Sequence, residues 1–372
     1  MKGSSMKKRW VATCCPLLLV GAVVQFAVAQ PTWTSNGPKP RYAHSAVFDP
    51  STRQMIIYGG YSPQNPHYYI DGDVWRLLPS ASLSGGQNWV ASHPTGTPPA
   101  ARYGHLGGYD PQSNRMIVFA GKAPGCTNDV WVLSNANGNA GPSAWLQLSP
   151  IGSVPSPRGF SAGAYDPTSN TLMVYGGDAC GSALGDYSVL SNANGLGGTP
   201  TWTEFFPTGG PGARSGATAV YDPGSHELIL FGGWDGANTY FNDVWVLTNA
   251  NGTAGTPVWQ QVLPTGGPPF ERAYSSATYD PVSDVMTMCG GYHGPYDWWN
   301  DVWVLTNASG THGTHTAWAK IAQSSVIFPL GRYSHTAVYD ASRNVMIMFG
   351  GNVTNKPLAA NDIFFLSDAN GQ

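Results

Sequence analysis

Six arginines recur along this chain at a nearly regular spacing, and together they could bind a carboxylate ligand. A guanidinium offers parallel N–H donors that match a carboxylate in a bidentate way. Each repeat unit also supplies an aspartate, and equal numbers of opposite charges favour structural ion pairs, because partly buried charges need partners. One or two arginines left unpaired could still serve a ligand. The arginines are Arg41, Arg102, Arg158, Arg214, Arg272 and Arg332, and the aspartates are Asp73, Asp129, Asp186, Asp243, Asp301 and Asp362.

Carboxylates free for catalysis are scarce. A second set of six aspartates lies in turns of the Asp-Pro type, where Asp caps nearby amides and Pro presets φ. Of the remaining acids, Glu271 adjoins Arg272, and Asp235 lies in a loop predicted at the same end. Glu271 or Asp235 as a base, with Arg272 or Arg214 holding a carboxylate, would suit epimerisation of an acidic sugar, although no motif signals an acid–base pair. The turn aspartates are Asp49, Asp110, Asp166, Asp222, Asp280 and Asp340.

The elements that must position these residues follow from a repeat of 56 to 59 residues. Each unit has four short runs rich in Val, Ile, Tyr, Phe and Trp; in the fourth unit they read SGATAVYD, ELILFGG, DVWVLT and VWQQVL. Asp-Pro, Gly-Gly and Asn-Gly turns separate the runs. Four antiparallel strands per unit around an axis predict an all-β fold, a six-bladed β-propeller. The units begin near Trp33, Trp89, Trp145, Trp202, Trp259 and Trp318.

The two ends of the repeat array predict how the ring closes. The last unit stops after its third run, and Pro31-Thr32-Trp33 matches the start of a fourth run. We therefore expect residues 30–372 to form the propeller, with the N-terminal strand completing the last blade. Such closure leaves no open sheet edge.

Residues 1–29 have the pattern of a secretory signal peptide, with cleavage after Ala29. A basic start is followed by an apolar run and a small-x-small end; a retained membrane anchor is the alternative. Removal leaves 14 basic residues against 21 acidic ones, a net charge of −7. Such a chain, without a Lys/Arg cluster, is a poor partner for nucleic acid or anionic membranes. We expect a secreted or periplasmic monomer with no membrane contact after cleavage.

Metal binding is considered at two places and is not expected at either. His44, His105 and His335 share one repeat position, but each should lie in its own interface between blades, too far from the others to share Zn²⁺. The recurring Asn-Ala-Asn-Gly resembles a calcium loop but supplies no carboxylates. Asn and Gly instead suit a hairpin turn. No cofactor is expected.

Three cysteines remain after the predicted cleavage. Cys126 and Cys180 lie in the same loop of consecutive units, so an oxidising compartment would allow a disulfide between them. Cys289 replaces the Phe or Tyr that precedes Gly-Gly elsewhere, and we expect a buried free thiol there.

The units differ most in the loop after Gly-Gly, and binding is expected where repeats depart from their average. Antiparallel order puts these loops at the same end as the arginines. Flat aromatic rings beside polar groups suit sugars, and they equally suit an anchor from a protein partner. With the arginines, the candidate ligand-binding residues are Trp234, Asp235, Tyr292, His293, Trp298 and Trp299.

Arg-x-x-His-Ser-Ala-Val, an apolar run into Gly-Gly, Asp-Val-Trp-x-Leu and a later Trp together resemble the kelch repeat of the galactose oxidase/kelch-like superfamily. The resemblance extends from about residue 31 to residue 372 and implies a propeller that acts as a binding module. Among kelch enzymes, the bacterial sialic-acid mutarotases are similar in length, export and blade number.

The function favoured by the sequence is thus a binding module that recognises a carbohydrate or an extracellular protein at the channel mouth. A mutarotase or epimerase for an acidic sugar is the alternative. A purely structural surface protein is the third.

Overall fold

The computed structural model describes residues 37–64, 67–79, 88–295, 297–310, 315–322, 329–354 and 359–371. The predicted signal peptide and the predicted closing strand near Trp33 lie outside the described residues. Within them, the regular structure consists of β-strands, and no helix is long and apolar enough to cross a membrane.

Three sheets, the blades of the first three repeats, follow the chain from the inside outward. Blade 1 contains β1 (Ser45–Asp49), β2 (Gln54–Gln64), β3 (His67–Leu77) and β4 (Trp89–Ser92). Blade 2 contains β5 (Leu106–Asp110), β6 (Arg115–Ala123), β7 (Gly125–Ser134) and β8 (Ala144–Leu148). Next come β9 (Ile151–Gly152), β10 (Ala162–Asp166), β11 (Thr171–Asp178), β12 (Ala183–Ser191) and β13 (Thr201–Phe205). In blade 3, β10 to β13 pair in order, and β9 adds a short parallel strand at the outer edge.

The last three blades vary the same plan. Blade 4 contains β14 (Thr218–Asp222), β15 (Glu227–Trp234), β16 (Tyr240–Thr248) and β17 (Val258–Val262). Blade 5 contains β18 (Ser276–Asp280), β19 (Val285–Cys289), the small hairpin β20 (Tyr292–His293) and β21 (Asp297–Trp298), then β22 (Val302–Thr306) and β23 (Ala317–Lys320). The remaining strands are β24 (Arg332–Tyr333), β25 (Thr336–Asp340), β26 (Val345–Phe349), β27 (Asn352–Val353) and β28 (Ile363–Ser367). Blade 6 has the order β25-β26-β28, and β24 pairs with β27.

The innermost strands close a ring of six blades around a central channel. β1, β5, β10, β14, β18 and β25 contact one another in that order, and β25 also contacts β1. The second strand of each blade is buried on both faces between neighbouring blades, so it reads as a continuous apolar run such as Met55-Ile56-Ile57-Tyr58. The predicted six-bladed, all-β propeller is confirmed.

The prediction of a loop after Gly-Gly was wrong in blades 1 and 2. In blade 1, β2 and β3 stay paired as far as Gln64 and His67, and in blade 2, β6 and β7 stay paired as far as Ala123 and Gly125. The pairing register shifts between Tyr58 and Gly60, so the strand bends at a β-bulge and then continues. Gly59 has φ +67°, and a Cβ there would lie 2.6 Å from the Arg102 carbonyl oxygen of the next blade.

All six repeated arginines are buried in ion pairs. Each is at most 2% exposed. Each guanidinium binds its Asp through two N–H···O bonds of 2.6–3.2 Å and donates a further bond to a backbone carbonyl of the Gly-Gly turn or its variant. Burial alone would raise the pKa of Asp301, but the bonds and charge of Arg272 outweigh it and hold that pKa below its usual value. The preferred structural interpretation therefore fits every arginine.

At the end of the propeller opposite the loops, repeated polar contacts join neighbouring blades. Asp49 accepts the Ser51 backbone N–H at 3.0 Å, and the Nδ2 of Asn137, from the Asn-Ala-Asn-Gly of the next blade, donates to Asp49 at 2.7 Å. The same link joins blades 2 and 3, 3 and 4, and 5 and 6. The recurring phrase is thus a hairpin turn that also fastens neighbouring blades.

The three repeated histidines lie in separate interfaces between blades. The Nε2 atoms of His44, His105 and His335 lie 2.6–2.7 Å from hydroxyls of the preceding blade. Burial, and after it the charge of the adjacent arginine, lowers the pKa of His105. The described residues contain no group of three His, Cys, Asp or Glu side chains that could hold a metal ion.

Candidate functional site

A closed ring of six backbone hydrogen bonds crosses one end of the channel. The residue two positions after each arginine donates its N–H to the carbonyl of its counterpart in the preceding blade, at 2.6–3.0 Å. The six members, here called the backbone ring, are Ala43, Gly104, Phe160, Gly216, Tyr274 and Ser334.

Every member of the backbone ring has positive φ, between 51° and 63°. Glycine tolerates this conformation, but an L side chain is strained there by about 1–3 kcal/mol. Phe160 and Tyr274 are bulky residues held in it by the surrounding bonds. Their rings meet edge to face with centroids 5.2 Å apart.

Glycines make room for these two aromatic rings. A Cβ on Gly104 would lie 3.0 Å from the Phe160 ring, and a Cβ on Gly216 would lie 2.5 Å from the Tyr274 ring. Each aromatic side chain therefore lies against the backbone of the preceding blade and points across the end of the channel.

An aromatic cavity of about 340 Å³ lies at this mouth. We call it the mouth pocket. Its size is near the lower end of the range for small-molecule sites. The described residues that line it include seven aromatic side chains and no Arg, Lys, Asp or Glu. They are Tyr42, Phe160, Trp234, Tyr240, Tyr274, Tyr292, Tyr333 and Ser334.

The lining side chains support one another through ring contacts. Trp234 stacks on Tyr240 with centroids 6.1 Å apart, and Tyr292 contacts both Tyr240 and Tyr333. Burial raises the pKa of Tyr274 and of Tyr333 to about 12. These phenols are therefore neutral at physiological pH, where each hydroxyl can donate as well as accept a hydrogen bond.

The aromatic candidates and His293 differ in how close they lie to the mouth pocket. Trp234 and Tyr292 line the mouth pocket. Trp298 packs behind it on Tyr333 at 5.3 Å, and His293 contacts Tyr240 at 4.8 Å. Trp299 is directed elsewhere, since it stacks on Phe270 and lies 5.0 Å from the Arg272 guanidinium.

The charged candidates do not line the mouth pocket. Asp235 accepts the backbone N–H groups of Ala237 and Thr239 at 2.8 and 3.0 Å, and these bonds lower its pKa. It therefore caps its own turn. Glu271 is half-buried beside Arg272. The burial and pairing of the six arginines argue against a direct bond between any of them and a ligand.

A disulfide joins the start of β7 in blade 2 to the loop between β11 and β12 in blade 3. It links Cys126 and Cys180, the pair selected from the sequence, with Cα atoms 5.9 Å apart. An ion pair between Lys122 and Asp178 lies beside it, and the Lys122 ammonium lies 5.5 Å from the Phe160 ring. Cys289 is a buried free thiol, as expected.

Sequence reasoning missed the residues immediately after the arginines. Tyr42, Phe160, Tyr274 and Tyr333 line the pocket, but they read as the start of an inner strand. The available signal was the disagreement of the repeats at these two positions: RYAH, RYGH, RGFS, RSGA, RAYS and RYSH.

Comparison with known proteins agrees with the propeller. The family model described as the KLHDC2/KLHL20/DRC7 Kelch-repeats domain matches residues 11–209 and 193–366. Multiple epidermal growth factor-like domains protein 8 of Homo sapiens is 27% identical over 218 residues, which cover 58% of this chain and 7% of that protein. Kelch repeat-containing protein 2 of Saccharomyces cerevisiae is 26% identical over 149 residues, 38% of this chain and 16% of that protein.

A solved structure, that of YjhT, shares the fold. It superposes with a TM-score of 0.62 at 13% identity and covers 89% of this chain and 96% of its own. The chain spans less than a fifth of the length of either relative above.

Proposed function

The chain belongs to the kelch-repeat family, and on that premise we propose that it is an exported binding module whose mouth pocket receives a neutral carbohydrate. The observation that carries the proposal is the lining of that pocket. Trp234, Tyr240 and Tyr292 offer flat rings against which the C–H faces of a sugar can stack, and the neutral phenols offer hydrogen bonds to its hydroxyls.

The described residues that line the pocket carry no charge, which favours a neutral sugar. An acidic sugar is bound most strongly by a cation at its carboxylate, and the six arginines are occupied by aspartates. The same fact weakens the alternative of a mutarotase for acidic sugars. Asp235 is a turn cap with a lowered pKa, which makes it a weak base.

An extracellular protein is the second candidate ligand. The blade 1 hairpin carries Tyr68 and Tyr69, which are 65% and 43% exposed. Exposed aromatic side chains often anchor a protein partner. The likeness to a protein named for multiple epidermal growth factor-like domains favours this candidate too.

The test is a glycan array that carries neutral and acidic glycans, followed by titration of the best ligand. We expect a neutral glycan to bind, and Trp234→Ala to weaken binding at least about 10-fold through loss of a stacking surface. The matched control is Phe206→Ala, which removes an aromatic side chain that is 79% exposed and does not line the pocket.

Three results would contradict the proposal. One is preferential binding of acidic glycans. Another is an equal glycan affinity of Trp234→Ala and Phe206→Ala. The third is turnover of sialic-acid anomers, observed by NMR, that is lost in Glu271→Gln; this would favour the enzyme.

A further inference from the structure

The backbone ring separates two cavities of different character. The mouth pocket lies on one side. On the other lies the channel cavity, of about 240 Å³, lined by the first residues of the inner strands. The two cavities share only Phe160, Tyr274 and Ser334 among their lining residues. These three residues therefore border both cavities, and we call them, with the backbone ring to which they belong, the wall.

The wall is built from groups that satisfy one another. Each ring N–H donates to the carbonyl of the preceding blade and each ring carbonyl accepts from the next, so the described bonds form a closed circle. Over this circle the Phe160 ring lies against Gly104, and the Tyr274 ring lies against Gly216 and Phe160. Tyr103 and Tyr333 contact the two aromatic rings from outside, at 6.0 and 6.1 Å.

The conformation of Phe160 and Tyr274 is strained, and it has a geometric consequence. Two of the six positions are glycines, and a third is alanine. The aromatic side chains of Phe160 and Tyr274 are thus not required to form the backbone ring. Their effect is to cover it, which turns the end of an open channel into the floor of a pocket.

The channel side offers a ligand little continuation of the mouth pocket. Apart from Phe160 and Tyr274, its lining is made of residues such as Ser45, Ser161, Thr218 and Ser276, together with His side chains already bound to neighbouring hydroxyls. Among the described residues that line it, no Phe, Tyr or Trp beyond those two offers a face on which a second sugar ring could stack.

We infer that the mouth pocket is closed at its base by Phe160 and Tyr274, and that it therefore recognises the terminal residue of a glycan rather than an internal segment. This inference rests on the proposed function and names its ligand class more narrowly. A sugar in a closed pocket can be linked onward through one side only. An internal residue has two linkages and would need a groove open at both ends.

The experiment compares glycans in matched pairs. Each neutral glycan that binds on the array is tested beside the same glycan extended by one further sugar at its non-reducing end. We expect the extended form to bind at least about 10-fold more weakly. The methyl glycosides of galactose, glucose, mannose and N-acetylglucosamine are then used as competitors, and we expect the one that matches the terminal sugar to displace the glycan.

Two variants test the contribution of the floor to binding. Tyr274→Phe keeps the ring and should keep the discrimination between the members of each pair. Tyr274→Gly removes the ring at a position whose φ suits glycine, so the fold should persist, as circular dichroism and thermal melting will show, while affinity for the terminal sugar falls at least about 10-fold.

The results separate the inference from the function on which it rests. If extended and unextended glycans bind equally while Trp234→Ala abolishes both, the proposed function stands and the closed floor is refuted. If a folded Tyr274→Gly binds like the wild type, the floor residue is refuted. If no neutral glycan binds, both the proposed function and the inference are refuted.

Discussion

The two ends of this propeller are built from the same repeat, yet their side chains have different surroundings. At the end opposite the loops, one blade after another places an Asp in a turn and fastens it with an Asn from its neighbour. At the mouth, the blades place unlike side chains around one pocket, and Trp234, Tyr240 and Tyr292 come from blades 4 and 5 alone. The repeated groups satisfy one another, whereas the unlike groups face a cavity.

This difference separates stability from recognition. A repeated charge or amide has a partner supplied by the same repeat, so its removal should lower the free energy of unfolding without altering a ligand contact. An aromatic side chain of the mouth pocket lines a cavity, so its removal should weaken binding more than folding. The predictions below test the first half of this contrast; the Trp234→Ala titration tests the second.

The largest effect is expected for Arg272→Ala. Arg272 is 1% exposed. It pairs at 2.6 Å with Asp301, whose side chain is 9% exposed. Loss of the guanidinium leaves a nearly buried carboxylate uncompensated, which should lower the free energy of unfolding by about 3–5 kcal/mol. Urea denaturation followed by tryptophan fluorescence measures this change.

The matched control is Arg343→Ala. Arg343 also binds an aspartate, Asp340, at 2.8 Å, but 27% of the Arg343 side chain is exposed. Asp340 is buried, yet it keeps a second cation, Arg53, at 3.2 Å. Because Asp340 stays paired and solvent screens the exposed Arg343, we expect a loss of no more than about 1 kcal/mol. Similar losses in both variants would show that a sole, fully buried arginine partner does not distinguish the repeated arginines from Arg343.

Much of the scaffold could be read from the sequence because its cause is local and repeated. The spacing of Trp89, Trp145, Trp202 and Trp259, with Gly-Gly and Asp-Pro turns between apolar runs, predicted both the strands and the number of blades. The Arg–Asp pairing followed from equal numbers of charges at matching positions. The length of the blade 1 hairpin was missed, because pairing beyond the bulge at Gly60 leaves no alternation in the sequence.

The mouth pocket could be predicted only in part. Trp234 and Tyr292 follow Gly-Gly in segments that differ between blades, so comparison of the repeats identified them. Phe160 and Tyr274 were missed, because a Phe or Tyr in the sequence does not indicate positive φ. Their conformation is imposed by a backbone ring that joins residues from all six blades, and such closure depends on contacts far apart in the chain.

A second effect should appear as a pH dependence from the interfaces between blades. Burial, and after it the charge of Arg102, lowers the pKa of His105 to about 3, against about 6.5 in an unfolded chain. The stabilisation is complete above about pH 6.5 and is lost progressively as the pH falls toward 3, because only the unfolded state takes up the proton. Between pH 7 and pH 5 the loss for this residue should be about 2 kcal/mol.

Two variants isolate that histidine. His105→Gln cannot titrate, so its free energy of unfolding should fall by about 2 kcal/mol less than that of the wild type over the same pH range. Ser45→Ala removes the hydroxyl that lies 2.7 Å from His105 Nε2 but keeps the imidazole. It should lower stability at every pH and preserve the slope. Parallel curves for wild type and His105→Gln would contradict the argument.

The smallest of these effects is expected at the end opposite the mouth, for Asn137→Ala. Its buried Nδ2 donates to Asp49 of the preceding blade at 2.7 Å, and a hydrogen bond to a charged group contributes at least about 1.5 kcal/mol. We expect a loss near that value, since Asp49 keeps its own turn bonds, and unchanged glycan affinity. Asn139→Ala is the control, because the exposed Asn139 side chain accepts a long 3.5 Å bond from Gln54, while its backbone N–H, which donates to Asn137 Oδ1, is kept in the variant. A fall in glycan affinity with Asn137→Ala, at unchanged stability, would place recognition at the wrong end of the propeller and break the contrast between the two ends.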